Sequence, residues 1–527
     1  MERGSFRQLQ KRFVLGAIAA VAVISVAPAL RADVKLPAVI GDNMVLQRAI
    51  DVPIWGWADP GEKVTVVLGK QAKSATAAAD GKWLVRLDAM EAGGPATMIV
   101  SGTNRIEVQN ILVGEVWVCS GQSNMGFTVR SANDAEKEIA AADYPQIRLF
   151  SVPLVGTQEP QYDCKGKWVV CSPQTAGSFS AVGYFFGREI HRALKIPVGL
   201  VNTSWGGSSC EAWVRRAVLE ADPRYAALLA QWDKRCAAYD PEKAKAAFEA
   251  NRARWRAAAE KAKVEGRPAP AAPRAPSDPR AGQHRPANLY NGMILPILPY
   301  AIRGAVWYQG ESNAGRAYEY RDLFPRMIRN WREDWGQGDF PFYFVQLANF
   351  MAVRPEPDES SWAELREAQT MTLAVKNTGQ AVTIDIGEAD DIHPRNKQDV
   401  GRRLAVWALA KDYGREVVYS GPMYKGMKKE GGTIRIAFDH ADGGLVARGG
   451  EPLKGFAVAG ADRKFVWAEA KIEGEAVLVS SPSVADPVAV RYAWADNPVC
   501  NLGNKARLPA CPFRTDAWPG VTAPKQP

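Results

Sequence analysis

The sequence predicts an α/β protein: a central domain on a parallel sheet, flanked at each end by a β-rich module. Three observations lead there. First, apolar runs such as residues 114–118 and 302–307 read as buried strands, and helical stretches such as 183–194 and 321–335 separate them. Strand alternating with helix is the pattern of a parallel sheet. Second, the chain before residue 111 and after residue 415 consists of short apolar runs between Gly, Pro and Asp turns, the pattern of small antiparallel sheets. Third, 527 residues exceed one ordinary core, and a composition of 47% hydrophobic and 23% charged residues is that of a folded chain.

The elements follow in order. Residues 1–32 read as an export signal. Arg3, Arg7, Lys11 and Arg12 form a basic start, residues 13–26 are apolar and uncharged, and small residues lead to a cleavage point after Ala32 or Ala29. The apolar run is too short for a transmembrane helix. The expectation is therefore a periplasmic or secreted protein with no stable membrane insertion after cleavage. Residues 33–110 predict an N-terminal β-sandwich, with Asp80-Gly81 as a hairpin turn. Residues 111–415 form the α/β domain. Inside it, 238–285 reads as an insertion: 241–264, rich in Ala, Lys, Arg and Glu, predicts a helix, and 267–280, rich in Pro and Ala, predicts an extended connector. Residues 416–527 return to β character, with strands expected at 433–438, 456–459, 465–468, 476–479 and 488–493 and a second β-sandwich as the result.

Charge and cysteine usage narrow the function classes. Residues 1–32 hold five basic and one acidic residue, so their removal lowers the net charge from +9 to about +5. No basic stripe with interleaved aromatics accompanies that excess, which argues against a nucleic-acid partner. Seven cysteines in an exported chain permit disulfides. Cys164 with Cys171, and Cys500 with Cys511, are the candidate pairs; the odd total leaves a thiol over. No CxxC pair or His-rich spacing points to a metal.

Four loops carry candidate chemistry. Of the four histidines, His191 lies in a predicted helix, His284 follows the Pro-rich connector, and His440 sits in a turn of the last β region. His393, in Asp390-Asp391-Ile392-His393-Pro394, follows the apolar run 381–386, and the carboxyl end of a parallel strand is where α/β active sites form. Two carboxylates precede it, as a general base needs. The run 114–118 leads into Cys119-Ser120-Gly121-Gln122-Ser123, where Gly121 permits a sharp bend and exposes Ser123, with Ser120 as a competing nucleophile. Asn202-Thr203-Ser204-Trp205-Gly206-Gly207 follows another apolar run, and paired glycines let main-chain N–H groups approach a substrate oxygen. Trp307-Tyr308-Gln309-Gly310-Glu311-Ser312-Asn313 offers side-chain amides. Together the loops supply nucleophile, oxyanion donors, base and orienting carboxylate, the set that acyl transfer requires.

These residues carry a resemblance. GQSNM at 121–125, NTSWGGS at 202–208 followed by Glu211-Ala212-Trp213, WYQGESN at 307–313 and DIHPRNK at 391–397 resemble the sialate O-acetylesterase family of SGNH-type hydrolases. Residues 43–48 and 512–516 look like that family too. The resemblance implies a three-layer α/β/α domain with accessory β-sandwiches, and an esterase that removes acetyl groups from a carbohydrate without metal or organic cofactor. It implies Ser123 as nucleophile and His393 as base. The oxyanion hole it implies is formed by the N–H groups of Ser123 and of Gly206 or Gly207, with a side-chain donor from Gln309 or Asn313, Gln309 standing nearer the strand end. The orienting acid is expected at Asp390, three residues before the histidine, with Asp391 as the alternative. Two rivals stand beside this reading. Asp385, Glu388, Asp390, Asp391 and Glu311 would serve a glycoside hydrolase if a pair of them flanked a glycosidic bond, and the β modules with seventeen Trp would suit a non-catalytic carbohydrate-binding protein.

Overall fold

The structure, a computed structural model, describes residues 33–450 and 452–524. The expected export signal lies outside the described residues. Among those described, no helix is long and apolar enough to cross a membrane.

The core of the molecule is a sheet of six parallel strands, β1 (Arg105–Gly121), β2 (Tyr144–Ser151), β3 (Val198–Asn202), β4 (Gly304–Tyr308), β5 (Phe342–Val345) and β6 (Thr378–Ala381). They lie side by side in the order β2-β3-β1-β4-β5-β6, and a short antiparallel strand, Val169–Cys171, closes the β2 edge. Central strands of such a sheet are covered on both faces and read as continuous apolar runs. Accordingly β4 and β5 are buried at every position. Successive side chains serve opposite layers. Trp307, Phe342 and Phe344 pack into one core, while Val306, Tyr308, Tyr343 and Val345 pack into the other.

Helices form the outer layers. On one face α2 (Ala181–Leu194) crosses α5 (Lys397–Lys411) so closely that a Cβ on Gly401 would stand 2.6 Å from that of Phe185. On the other face lie α3 (Ala317–Trp335) and α4 (Ser361–Met371). The chain is thus a three-layer α/β/α domain with added β modules.

Strand β1 also explains how the N-terminal module is attached. Its first part alternates exposed and buried residues and pairs antiparallel with Gly93–Ser101; its last part is wholly buried in the parallel sheet. Residue 110, where a boundary was expected, lies within this strand. Asn110 has φ +56° and donates to Asn43 Oδ1 at 2.7 Å, marking the passage from one sheet to the other. The N-terminal strands share their core with the α/β domain. The C-terminal module holds two four-stranded antiparallel sheets that share a separate core, with Ile434, Ile436, Val477 and Val479 from one sheet and Phe456, Val458, Val490 and Tyr492 from the other. Inside the insertion, Pro241–Val264 is a helix, and the segment after Gly266 has no regular structure until residue 279.

The cysteine expectation is corrected. All seven are free thiols, neither candidate pair being bonded. The partners are committed elsewhere: Cys171 Sγ faces the Ala142 carbonyl, and Cys511 lies against Thr370, Gln346 and Gln380. Burial pushes the Cys164, Cys171 and Cys500 thiols up to about 12, which favours their protonated form.

Candidate active site

Open α/β sheets bind ligands outside the carboxyl ends of their strands. Here four such ends converge around β1. Strand β1 stops at Gly121, with φ +135°, where a Cβ would lie 2.1 Å from the Tyr308 carbonyl oxygen, so only glycine fits. The backbone then turns into a single helical turn, α1 (Ser123–Gly126). Ser123 is its first residue, so its N–H has no acceptor within the turn. Ser180, which caps α2, donates its hydroxyl to the Met125 carbonyl at 2.6 Å and fixes the far side of that turn.

His393 arrives on the long loop between β6 and α5. Its Nε2 lies 2.8 Å from Ser123 Oγ. Its ring stacks on Phe127, with centroids 6.4 Å apart. Asp391 Oδ1 accepts the His393 backbone N–H at 2.8 Å and lies 3.5 Å from Nδ1. Asp390 is exposed, and no hydrogen bond or ion pair joins it to His393. The carboxylate beside the imidazole is therefore Asp391 and not the expected Asp390. The Asp391 side chain folds back onto the backbone of its own loop, which carries it to the ring. Ser120 is fully buried and is no rival to Ser123. The other histidines are used locally: His191 Nδ1 bonds the Ile196 carbonyl, His284 Nδ1 bonds Ser209 Oγ, and His440 packs on Tyr419.

The loop after β3 reaches the serine from the side. Trp205 N–H donates to the Gly121 carbonyl at 3.0 Å, and a Cβ on Gly206 would stand 3.5 Å from that of Ser123. Gly207 makes the following turn, with φ +71°, and its carbonyl accepts from Ser312 Oγ at 2.7 Å.

The expectation for Gln309 is corrected. It is fully buried; Nε2 donates to the Ser208 carbonyl at 3.1 Å and to Asn313 Oδ1 at 2.7 Å, and Oε1 accepts from the Tyr320 hydroxyl at 2.8 Å. Both amide protons are committed to holding the β3 and β4 loops together, and none remains for a substrate. Asn313 accepts from Cys210 N–H at 2.9 Å and donates to Glu211 at 3.0 Å, which leaves its second amide proton outside these bonds. Glu211, buried at 1% exposure, is held in turn by Arg316.

Three further residues of the quoted motifs meet behind the serine. Asn124 donates from Nδ2 to Glu311 Oε1 at 2.6 Å and to the Ile392 carbonyl at 3.0 Å, and its Oδ1 accepts from Lys397 Nζ at 2.6 Å. Lys397 has no exposure; burial pulls its ammonium down to about 7, against the charges of Glu311, Asp391 and Glu388. Burial also raises the Glu311 carboxyl. Asp385 is closed off by Arg403 at 2.6 and 2.8 Å and by Arg448 at 2.5 Å, so it is not free for glycosidic chemistry. Among the described residues, no group of three or more His, Cys, Asp and Glu side chains is arranged to hold a metal.

A hydroxyl and an imidazole in contact at the carboxyl ends of a parallel α/β sheet are the arrangement of a serine hydrolase. Comparison with known proteins gives the family. The model for carbohydrate esterase, sialic acid-specific acetylesterase, matches residues 283–410. The chain is 32% identical over 526 residues to sialate O-acetylesterase of Mus musculus, covering 90% of this chain and 93% of that one. It is 29% identical over 547 residues to the Homo sapiens protein of the same name, covering 91% and 93%. A solved carbohydrate acetylesterase from Xanthomonas citri superposes with a TM-score of 0.78 at 39% identity, over 92% of this chain and 100% of that one. The chain belongs to the sialate O-acetylesterase family and is a hydrolase of O-acetyl esters on carbohydrates.

Proposed function

We propose that Ser123 is the nucleophile and His393 the general base of this esterase, with Asp391 orienting the imidazole. The observation that carries the reading is the 2.8 Å contact between Ser123 Oγ and His393 Nε2. Ser123 attacks the acetyl carbonyl while His393 takes its proton. The oxyanion is held by the N–H groups of Ser123 and Gly206 and by the remaining amide proton of Asn313. His393 then protonates the departing sugar oxygen, which leaves as a hydroxyl, and a water activated by the same imidazole releases acetate from the acetyl-enzyme. Each oxyanion donor of this kind is worth on the order of 3 kcal/mol in the transition state.

The substrate class is an O-acetylated glycan, either acetylated sialic acid or an acetylated plant or microbial polysaccharide. The names of the relatives support the first, and the export signal read in residues 1–32, with a periplasmic or secreted location, suits both. The test is acetate release by the mature protein on an acetylated sialoside beside an acetylated xylan. The faster substrate names the glycan class, and release of reducing sugar without acetate would contradict the reading.

A further inference from the structure

Three residues of the motif blocks, Asn124, Glu311 and Lys397, have no part in the chemistry above, yet the last two converge on the amide of the first. Asn124 follows Ser123 in sequence, and Ile392 precedes His393. The 3.0 Å bond from Asn124 Nδ2 to the Ile392 carbonyl therefore ties together the two chain segments that carry the reacting side chains, one residue away from each. We propose that Asn124 is a positioning residue that straps the His393 loop to the Ser123 turn, and that Lys397 and Glu311 exist to lock the orientation of its amide. The inference rests on the catalytic reading of Ser123 and His393.

The hydrogen-bond pattern carries the argument. As an ammonium Lys397 can only donate, so it bonds the oxygen of the amide; Glu311 as a carboxylate accepts, so it selects the nitrogen. Turning the amide over would set Nδ2 against the ammonium and Oδ1 against both the carboxylate and the Ile392 carbonyl. One orientation is thereby fixed, and it is the one that donates to Ile392. The three side chains come from different places: the turn after β1, the loop after β4, and the first residue of α5. Lys397 is also held between the rings of Phe127 and Tyr308, 4.8 and 5.5 Å from their centroids, and among the described residues no carboxylate lies within ion-pair distance of it. Among the described residues the acceptor of Lys397 is one amide oxygen, and a fully buried lysine so placed is costly to keep for stability alone. Beside this bond, the loop meets the segment that follows β1 through the His393 Nε2 to Ser123 Oγ contact, the stack of His393 on Phe127 and the Asn133 N–H bond to the Arg395 carbonyl, none of which fixes the backbone next to both reacting residues.

The test is steady-state kinetics of acetate release by the wild-type protein, Asn124→Ala, Lys397→Met and the double variant, each checked for folding by circular dichroism. Displacement of a reacting group by about 1 Å costs about 100-fold. Each single variant is thus expected to lose about 100-fold in kcat, with KM within about three-fold. Because the residues act as one unit, the double variant falls no further than Asn124→Ala alone. Should Asn124→Ala fail to fold, Lys397→Met by itself keeps the test, since it removes the orienting donor and not the strap. Single variants that keep kcat within about three-fold of wild type, or a double variant whose losses multiply, would overturn the strap while leaving the esterase intact. A wild-type protein that releases no acetate would instead overturn the catalytic reading on which the strap depends.

Discussion

His393 Nε2 and Ser123 Oγ lie 2.8 Å apart although 270 residues of chain separate them. The parallel sheet produces the contact. Strand β1 delivers the serine at its carboxyl end, and the loop that leaves β6 runs back across the same edge before α5 begins. A consequence is selectivity for a covalent probe. A fluorophosphonate should label Ser123 and leave Ser120, which is fully buried in β1, untouched. Peptide mass spectrometry after labelling decides it, and a label on Ser120 would contradict the assignment.

The two aspartates before His393 should behave unequally. Asp391 approaches Nδ1 at 3.5 Å with 43% of its side chain exposed, a weaker hold than a buried orienting carboxylate provides. Loss of such a buried carboxylate costs about 10⁴-fold. Asp391→Asn, which can still accept the His393 backbone N–H, is expected to lose only about ten-fold in kcat, against about two-fold or less for Asp390→Asn. A larger loss in Asp390→Asn than in Asp391→Asn would reverse the roles.

The two amides of the β4 loop share one buried network, so both alanine variants should lose stability, and they should differ in activity. Asn313→Ala removes the proposed side-chain oxyanion donor and should lower kcat by about 10²- to 10³-fold. Gln309→Ala removes two donors and an acceptor from a buried network, and its signature is a loss of about 1–3 kcal/mol in denaturant unfolding. Equal kcat in wild type and Asn313→Ala would remove Asn313 from the oxyanion hole.

Lys397 makes stability depend on pH. Its ammonium titrates at about 7 in the folded protein, whereas the unfolded chain keeps the ordinary lysine value of 10.5. Between those values the unfolded state binds the additional proton, so this group makes stability rise with pH from about 7 to about 10.5. Urea midpoints at pH 7 and pH 9 should therefore differ by a smaller upward step in Lys397→Met than in wild type. An identical step in both proteins would show that Lys397 titrates normally.

Much of this was legible in the sequence because each active loop follows an apolar run and contains glycine where the backbone must bend. Gly121 is the clearest case, since its bend and the close approach of Tyr308 exclude any Cβ. What was not legible depends on side-chain direction or on distant neighbours. Spacing puts Asp390 three residues before His393, but the loop folds the Asp391 side chain back toward the ring. Gln309 stands at the strand end as expected, yet its amide is claimed by Ser208 and Asn313, and no local pattern reveals that. The strand through residue 110 joins two sheets with only Asn110 in a left-handed conformation to mark the change, so composition suggested a boundary inside a continuous strand. Cysteines close in sequence invited pairing, but the thiols face different neighbours.

The most direct test of the account is acetate release from a small chromogenic acetate and from acetylated glycans by the wild-type protein beside Ser123→Ala. The account predicts that the wild type releases acetate and that the folded Ser123→Ala protein loses at least about 10⁴-fold of that rate. Undiminished release by Ser123→Ala would contradict it.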